Sequence, residues 1–436
     1  MIKTYLLTPL QKFIKIESFS GILLFTSAII AILWANSTFG ESYTALWQHE
    51  VGFGVDDFGL RKSLLFWIND GLMAIFFFLI GLEIKRELVV GELNSIRKAT
   101  FPIFAGIGGM IFPLLLFLFL NDKPETAHGW GIPMATDIAF TLAILTLLKK
   151  SVPISLKIFL TAFAIIDDLG AVIVIAVFYS EGVDWVLLGV SIGLLLILFA
   201  MSHKGKYNKF VTIGLGAVIW VLFLKSGIHP TISGVLLAFT IPIRQKLDKA
   251  TFLKELSTIS EKLALSGKTD LPIHSTDAIK QMDNLDDLLD DYHSPLQNLE
   301  HKLHGWVAYF IMPVFALANA GVVFASDMHL ETDLMIHISI ALIVGKFLGV
   351  SLFSYIAVKL KLAELPTSAT AWQIMGIAIL SGVGFTMSIF IANLAYIGNE
   401  AFIDSAKIGI LIGSLIAGVL GALVLQIAGK KYREAQ

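Results

Sequence analysis

The chain consists of about twelve apolar segments, most of them close to the ~20 residues that an α-helix needs to cross a membrane. Inside lipid, every backbone N–H and C=O must find a partner within the protein, so these segments are expected to be helical. The pattern predicts an all-α integral membrane protein with about twelve transmembrane helices. They cover residues 20–37, 64–84, 101–120, 131–148, 154–179, 185–201, 211–224, 229–243, 306–325, 334–358, 371–397 and 408–428.

The composition excludes a soluble globular protein. Of the 436 residues, 56% are hydrophobic and only 15% are charged, and that much apolar surface does not fit inside one soluble core. The absence of Cys excludes disulfides, thiolate metal sites and cysteine nucleophiles. A net charge of -2 gives no indication of nucleic-acid binding. The expected partner is therefore the lipid bilayer.

The basic residues of the loops predict an orientation. Connections that follow even-numbered segments hold most of the Lys and Arg, such as Lys85 with Arg86, whereas the first connection, residues 41–57, is acidic. An excess of Lys and Arg marks the cytoplasmic side, so both termini are expected in the cytoplasm. The first segment follows the polar stretch 11–18 and is expected to be a retained helix rather than a cleaved signal peptide.

One region is too polar for the membrane. It contains Asp and Leu alternating at helical spacing, which predicts an amphipathic cytoplasmic helix capped near Ser275 and ended before Pro295. The region is either a regulatory lid or docking surface, or a solvated loop insertion. It divides the chain into a membrane domain at 1–243 with eight helices, a cytoplasmic insertion at 244–303 and a membrane domain at 304–436 with four helices.

Asp167 and Asp168 lie side by side in the middle of the fifth segment. One ionisable side chain at the centre of a spanning helix costs about 2.5–3.5 kcal/mol on insertion scales, so such residues indicate an ion or proton pathway. The alternative is a pair of neutral or capped carboxylates that only hold helices together. The other polar groups at membrane depth are Asn69 and Asp70 in the second segment, Thr136 and Asp137 in the fourth, and Lys346 in the tenth.

Two segments contain residues that interrupt a helix. The fourth holds Gly131 and Pro133, and the eleventh holds Gly382 and Gly384. Interruptions at corresponding positions of two halves are typical of transporters with inverted repeats, whose broken helices cross at mid-membrane. Glycines in membrane helices also serve close packing. We predict that the fourth and eleventh helices are discontinuous and cross.

Broken helices direct partial charges toward the middle of the membrane, where each must be compensated. Asp137 near one break and Lys346 opposite the other suit that role, and Asp137 can fill it without any transported partner. A lone lysine at this depth is neutral or paired, and an aspartate of the fifth segment is its natural partner.

The carboxylate pair can bind a proton or a cation. Consecutive helical residues point about 100° apart, so one aspartate is expected to face Lys346 while the other opens to a water-filled funnel. A hard cation such as Na+ prefers oxygen ligands, which carboxylates, water and the Thr136 hydroxyl provide. Because protonation removes the carboxylate ligands, proton and cation compete, and competition at an alternately exposed site is sufficient for coupled exchange.

Several strings resemble the NhaA family of bacterial sodium/proton antiporters, and the resemblance extends over nearly the whole chain. They are Ala-Thr-Asp-Ile-Ala-Phe at 135–140, Ala-Ile-Ile-Asp-Asp-Leu-Gly at 164–170, Gly-Phe-Thr-Met-Ser-Ile-Phe at 384–390, Gly-Leu-Glu-Ile-Lys-Arg-Glu-Leu at 81–88 and Leu-Glu-His-Lys-Leu-His at 299–304.

The resemblance implies a secondary transporter rather than an enzyme, without a cofactor, in the bacterial inner membrane. Asp168 and Asp167 would bind Na+ or Li+ and protons, with Thr136 nearby, while Asp137 and Lys346 balance the broken helix ends and Lys346 pairs with Asp167. Exchange for a larger number of protons would be electrogenic.

The resemblance also implies a pH-response region and a homodimer. On spacing alone, the residues of the pH-response region would be a solvated charge cluster at the membrane edge, although His titrates near neutral pH. The dimer would form through the external loop 47–59, where residues 51–55 are a weak, glycine-rich candidate for paired strands. An insertion at 245–294 leaves the pH set point unspecified. The pH-response residues are Glu83, Arg86, Glu87, Glu300, His301 and His304.

Two other functions compete with this interpretation. An intramembrane aspartyl protease needs aspartates on different helices, typically with a Gly-x-Gly-Asp string, which does not occur in the sequence. A passive cation channel would conduct without a counter-ion gradient.

Overall fold

The computed structural model describes residues 9–53, 60–148, 152–180, 182–245, 247–266, 275–324, 330–366 and 369–434. In these ranges the chain is almost entirely helical. The helices are α1 (Pro9–Ala35), α2 (Gly40–Gln48), α3 (Leu64–Val89), α4 (Ile96–Leu120), α5 (Ile138–Leu147), α6 (Ile154–Phe178), α7 (Trp185–His203), α8 (Lys209–Ser226), α9 (Thr231–Thr240), α10 (Lys249–Ser266), α11 (Thr276–Tyr292), α12 (Pro295–Trp306, Val307–Ile311 and Met312–Asn319), α13 (Thr332–Lys359), α14 (Ala371–Leu380), α15 (Phe385–Ala395) and α16 (Glu400–Glu434). A 3-10 segment, Pro124–Met134, precedes α5.

Within the described residues, seven helices are long and apolar enough to cross a membrane, or up to ten if each of three bent pairs counts as one span. All twelve predicted segments contain helix, but α9 in the eighth segment has only 10 residues. The structure is therefore that of an all-α membrane protein, and the number twelve and the inverted repeats stay predictions.

A short hairpin follows α2 on the predicted external side. Strand β1 (Glu50–Phe53) pairs antiparallel with β2 (Leu60–Ser63), and Glu50 lies opposite Ser63. Gly54 and Val55, which the sequence assigns to the strand pair, lie outside the described residues. The first predicted connection, residues 41–57, also contains most of a helix, α2, that the sequence did not indicate. Whether the hairpin joins two copies stays a prediction that the mass of the protein in detergent would decide.

The predicted cytoplasmic insertion contains two helices, α10 and α11, among its described residues before α12. Helix α11 agrees with the predicted amphipathic helix, because the Ser275 side chain accepts a hydrogen bond from Ala278 N at 3.2 Å and the helix ends at Tyr292. Helix α10 was not predicted, and it packs on α11 by a stacked contact of Phe252 with Tyr292, whose ring centroids are 3.9 Å apart. The division of the chain into three regions remains a prediction.

Small residues allow α3 and α9 to pack closely. A Cβ on Gly81 would lie 2.7 Å from the Ala238 Cβ, and one on Gly234 would lie 3.0 Å from Phe78 N and overlap the Ala74 carbonyl oxygen. Small residues at such crossings let backbones approach in a membrane, where packing rather than water drives association.

A lysine also joins these two helices. The ammonium of Lys85, on α3, donates to the carbonyl oxygens of Phe239 and Ile241 at 2.7 and 2.5 Å. These carbonyls lie at the C-terminal end of α9 and have no partner within the helix, so Lys85 acts as its C-terminal cap.

The buried apolar side chains form two large clusters, and α6 contributes to both. Ile165 belongs to the first cluster, and its neighbour Ala164 belongs to the second together with Phe163. The two residues that follow Ile166 are Asp167 and Asp168, so the carboxylates lie at the boundary between the clusters.

We predict that Gly234→Ala lowers the melting temperature, because its Cβ would meet backbone atoms of α3 that cannot move aside. The expected loss is about 1–3 kcal/mol, typical of overpacking. The measurement is thermal unfolding in detergent followed by tryptophan fluorescence. Gly214→Ala is the matched control, since no heavy atom lies within 4 Å of its new Cβ, and it should be neutral or stabilising by about 0.5–1 kcal/mol. Equal melting temperatures for the two variants would contradict the packing argument.

Candidate functional site

Helix α6 places the two adjacent aspartates in different surroundings. Asp167 and Asp168 are each 1% exposed. The Asp167 Oδ2 atom lies 2.5 Å from the ammonium nitrogen of Lys346, which is 0% exposed. Asp168 Oδ1 and Asp167 Oδ1 have no hydrogen-bond partner among the described residues. The predicted pairing of an aspartate with Lys346 is therefore present, and Asp167 is the aspartate that makes it.

Two breaks in helical structure meet beside this pair. The 3-10 segment and α5 are bent by 48° at residues 135–137, and α14 and α15 are bent by 44° at residues 381–384. The backbone N–H of Asp137 in the first break donates to the Val383 carbonyl in the second at 2.7 Å. The two interrupted segments thus contact each other directly through their breaks.

Asp137 caps the N-terminal ends of both helices that leave the breaks. Its Oδ1 atom accepts from Phe140 N in α5 at 3.0 Å. Its Oδ2 atom accepts from Thr386 N at 3.2 Å and from the Thr386 hydroxyl at 2.6 Å, in α15. One carboxylate is thereby bound to the partial positive charge of two helix termini.

Lys346 contacts the first break. Its ammonium donates to the carbonyl of Met134, the last residue of the 3-10 segment, as well as to Asp167. Lys346 therefore compensates the carbonyl end of the first break, and its position opposite the break of the eleventh segment stays a prediction. The periodicity of a helix predicts the face on which a residue lies, but it does not predict which of two nearby breaks that face meets.

The hydroxyl of Thr136 lies between the second break and the ion pair. Its oxygen is 2.7 Å from Asp167 Oδ2 and 2.9 Å from the Ser381 carbonyl oxygen. A hydroxyl has one proton to donate, so Thr136 can donate to only one of these two oxygens at a time. The hydroxyl is thus able to switch partners when the charge on Asp167 changes.

The glycines and the proline of the breaks occupy crowded positions. A Cβ on Gly384 would lie 2.9 Å from the Ala135 carbonyl oxygen, and one on Gly382 would lie 3.1 Å from the Ala417 Cβ. Pro133 is buried in the 3-10 segment. Gly384 therefore lets the two breaks approach each other, whereas Gly382 lets α16 approach the second break.

Two serines that were not predicted form hydrogen bonds with backbone groups at or beside the breaks. The Ser388 hydroxyl donates to the Ile132 carbonyl oxygen at 2.8 Å, and the Ser414 hydroxyl oxygen accepts from Gly384 N and Phe385 N at 3.3 and 3.2 Å. Polar residues inside apolar segments are the signal that could have found them.

A small cavity of about 50 Å³ reaches Asp168. A water molecule has about 30 Å³ in the liquid, so the cavity has room for one or two waters or a small cation. Thr136 and Asp137 line its inner end together with Asp168, and Glu83 and His304 line the end on the predicted cytoplasmic side. A larger cavity of about 740 Å³ lies beside Lys361, and neither Asp167 nor Asp168 lines it.

The donor set at the cavity suits a weakly held cation rather than a resident metal. Within the described ranges there is no group of three or more His, Cys, Asp or Glu that could hold a metal ion. Two carboxylates and a hydroxyl offer hard oxygen ligands, and Asp168 has an oxygen that no protein group uses. Such a site can bind a monovalent cation and release it again.

Most of the predicted pH-response residues form one cluster at the cavity mouth. Arg86 lies 3.1 Å from Glu87 Oε1 and 3.1 Å from Glu300 Oε1, and His304 lies 3.8 Å from Glu83. Burial raises the pKa of Glu300 to about 7, although the nearby Arg86 guanidinium lowers it. His301 is exposed and is not part of these contacts.

Comparison with known proteins is consistent with this arrangement. The model of the family "Na+/H+ antiporter 1" matches residues 11–425. The Na(+)/H(+) antiporter NhaA of Oleidesulfovibrio alaskensis is 46% identical over 428 residues, which are 97% of this chain and 94% of that protein. The proteins of the same name from Koribacter versatilis and Wolinella succinogenes are each 44% identical, over 96% and 98% of this chain and 91% and 95% of their own lengths. The chain is therefore a multi-pass membrane protein that belongs to the Na+/H+ antiporter 1 family.

Proposed function

We propose that this protein expels Na+ or Li+ from the bacterial cytoplasm in exchange for protons. Membership of the family supports the exchange of Na+ for H+. The observation that carries the assignment of the site is the unpartnered Asp168 oxygen in a cavity shared with Thr136 and Asp137. The protein is proposed to lie in the inner membrane with both termini in the cytoplasm, as its loop charges suggest.

The proposed coupling is competition between ions for the same oxygen atoms. When Asp168 is ionised, the cation binds to its carboxylate, to the Thr136 hydroxyl and to water. The cation also attracts Asp167, which exchanges its bond with Lys346 for the ion. Protonation of the carboxylates removes these ligands and releases the cation. The site therefore carries the cation in one direction and protons in the other, and never both at once.

Exchange is proposed to move net charge. Two carboxylates and one lysine can together bind more protons than the single cation they replace. The membrane potential then contributes about 2.3 kcal/mol per elementary charge for each 100 mV. Twelve helices in inverted repeats, with the two breaks crossing at mid-membrane, would let the site open to each side in turn.

We predict that Na+ or Li+ collapses a pH gradient held by proteoliposomes and that Asp168→Asn abolishes this response. The replacement removes the charge but keeps the shape of a side chain whose free oxygen has no protein partner, so folding should persist. A pH-sensitive dye reports the rate, and a melting curve checks the fold. Asp122→Asn, at an exposed aspartate, should retain the rate of the unmodified protein. A Na+ flux that needs no pH gradient would favour a passive channel, and undiminished exchange by Asp168→Asn would refute the site.

The buried ion pair generates a second prediction. Lys346→Met should destabilise the protein by about 3–5 kcal/mol, because it leaves the Asp167 carboxylate buried without its cation. Adding Asp167→Asn should recover much of this loss, since the uncompensated charge is then removed. Melting temperatures of the four proteins in the cycle provide the measurement. Strictly additive effects of the two substitutions would show that the pair does not interact.

The cluster at the cavity mouth generates a prediction about pH. Because the Glu300 pKa is raised to about 7, this carboxyl is charged at pH 8 and becomes neutral as the pH falls toward 6. Glu300→Gln is neutral throughout, so its exchange rate should change less between pH 6 and pH 8 than that of the unmodified protein. Glu255→Gln, at an exposed position of α10, is the control and should keep the original profile. Identical profiles for Glu300→Gln and the unmodified protein would exclude Glu300 from the response.

A further inference from the structure

Three helices carry the same succession of side chains as they leave the cavity. Each has first an apolar residue in the cavity wall, then a phenylalanine and then an asparagine. The order is shared but the spacing is not, because the phenylalanine and the asparagine are eight residues apart on α3, four on α12 and three on α15. The three successions are Ile80, Phe77 and Asn69 on α3; Met312, Phe315 and Asn319 on α12; and Met387, Phe390 and Asn393 on α15.

The three asparagines form a hydrogen-bonded group centred on Asn319, here called the asparagine triad. Asn319 is 1% exposed. Its amide nitrogen donates to Asn69 Oδ1 at 2.7 Å and to the Phe315 carbonyl oxygen at 3.0 Å. Its amide oxygen accepts from Asn69 Nδ2 at 3.1 Å and from Asn393 Nδ2 at 2.8 Å. An amide has two donors and two acceptor positions, so Asn319 is fully bonded and joins three helices.

The phenylalanines form a dry layer between the triad and the cavity. Phe77, Phe315 and Phe390 are 1%, 0% and 1% exposed. The ring centroid of Phe390 lies 5.6 Å from that of Phe77 and 6.3 Å from that of Phe315. A hydrated cation cannot pass such a layer unless the helices separate.

The layer and the triad lie on the side of the cavity that faces away from the cytoplasm. Asn69 follows the hairpin on the predicted external side, and Asn319 ends α12, whose following connection is predicted to be external because it follows the odd-numbered ninth segment. The cavity extends in the opposite direction, to Glu83 and His304. The described state is therefore closed toward the outside.

Two of the three helices of the triad contain irregular turns. Asn69 lies within the π-helical turn Trp67–Leu72 of α3, and α12 contains the π-helical turn Val307–Ile311 closer to its other end. Such turns are frequent at functional sites and can mark places where a helix bends. A rearrangement of α3 and α12 relative to α15 would break the triad first at the Asn393 bond.

We propose that the asparagine triad is the latch of the external gate, which must open before Asp168 can exchange ions with the outside. This inference rests on the proposed function, because only a site exposed alternately needs such a gate. Neutral amides suit a latch because they hold the helices together without a charge that would repel or trap the passing cation. Because water replaces a lost amide hydrogen bond at small net cost, the latch can open and close reversibly.

The test uses the absence of Cys from the chain. Met387→Cys places a single thiol in the cavity wall, on the inner side of the phenylalanine layer. A membrane-impermeant thiol reagent is added to membrane vesicles of either orientation, so that it reaches one side at a time. In Met387→Cys alone, labelling from the outside should be slow. Adding Asn319→Ala should raise the external labelling rate roughly tenfold, equivalent to a loss of about 1.4 kcal/mol from the closed state, while labelling from the cytoplasmic side does not rise.

The direction of labelling separates a latch from a merely structural role. A variant with a loosened fold would be labelled faster from both sides, and this result would overturn the proposal, as would an unchanged external rate. Met312→Cys, in the wall of the same cavity, gives a second probe if Met387→Cys folds poorly. Asn399→Ala is the matched control, because Asn399 is an exposed asparagine near the same end whose side chain caps Phe402 N, and its labelling should match the parent.

The labelling result does not depend on which ions are carried. If external labelling rises in Asn319→Ala while proteoliposomes show no Na+/H+ exchange, the gate is supported and the proposed ions are wrong. If exchange occurs but labelling from outside does not change, the proposed function is supported and the latch is refuted.

Discussion

Backbone groups that leave a helix inside a membrane must be bonded by other parts of the protein, and this requirement determines the centre of the structure. The contact of Asp137 N with the Val383 carbonyl brings the two breaks together. The Asp137 carboxylate then satisfies the N-terminal ends of α5 and α15, and Lys346 satisfies the carbonyl of Met134. The ionisable groups at mid-membrane therefore have a structural role in addition to any transport, which is why they tolerate burial.

The same arrangement makes Asp167 and Asp168 chemically different. Asp167 is compensated by Lys346, whereas Asp168 has a free oxygen toward the cavity. In the proposed exchange, a cation entering this cavity would meet Asp168 first and would draw Asp167 away from its lysine only by offering an equivalent positive charge. The Thr136 hydroxyl is positioned to turn its O–H from Asp167 to the Ser381 carbonyl, so that its hydrogen bond changes acceptor as this happens. In this proposal the asymmetry sets the order of cation binding, with Asp168 before Asp167.

Sequence reasoning succeeded where the cost of burial leaves few solutions. A lysine and an aspartate buried in two apolar segments each need a partner of opposite charge, and few other partners are present at that depth. The Asp167–Lys346 pair was therefore predictable. That the fourth and eleventh segments are discontinuous transmembrane helices stays a prediction, although the chain bends by 48° and 44° at residues 135–137 and 381–384. The amphipathic pattern and Ser275 were sufficient to predict α11.

Other features depend on distances between segments that no local pattern encodes. The contact of Lys346 with Met134 and the asparagine triad join residues far apart in the chain, and single asparagines are equally compatible with packing or solvent exposure. The exposed position of His301, next to the clustered Glu300, depends on the rotation of α12 about its axis. Helix α2 was not predicted, because the first connection, residues 41–57, was interpreted only from its acidic charge.

The central claim is that a proton and a cation compete for Asp168, and equilibrium binding tests it most directly. Calorimetric titration of the purified protein with Na+ or Li+ at several pH values gives the apparent Kd and the protons released. Competition predicts that the Kd rises as the pH falls, approaching tenfold per pH unit for each proton displaced, and that Asp168→Asn removes the binding. A Kd that does not change with pH, or binding without proton release, would contradict the account.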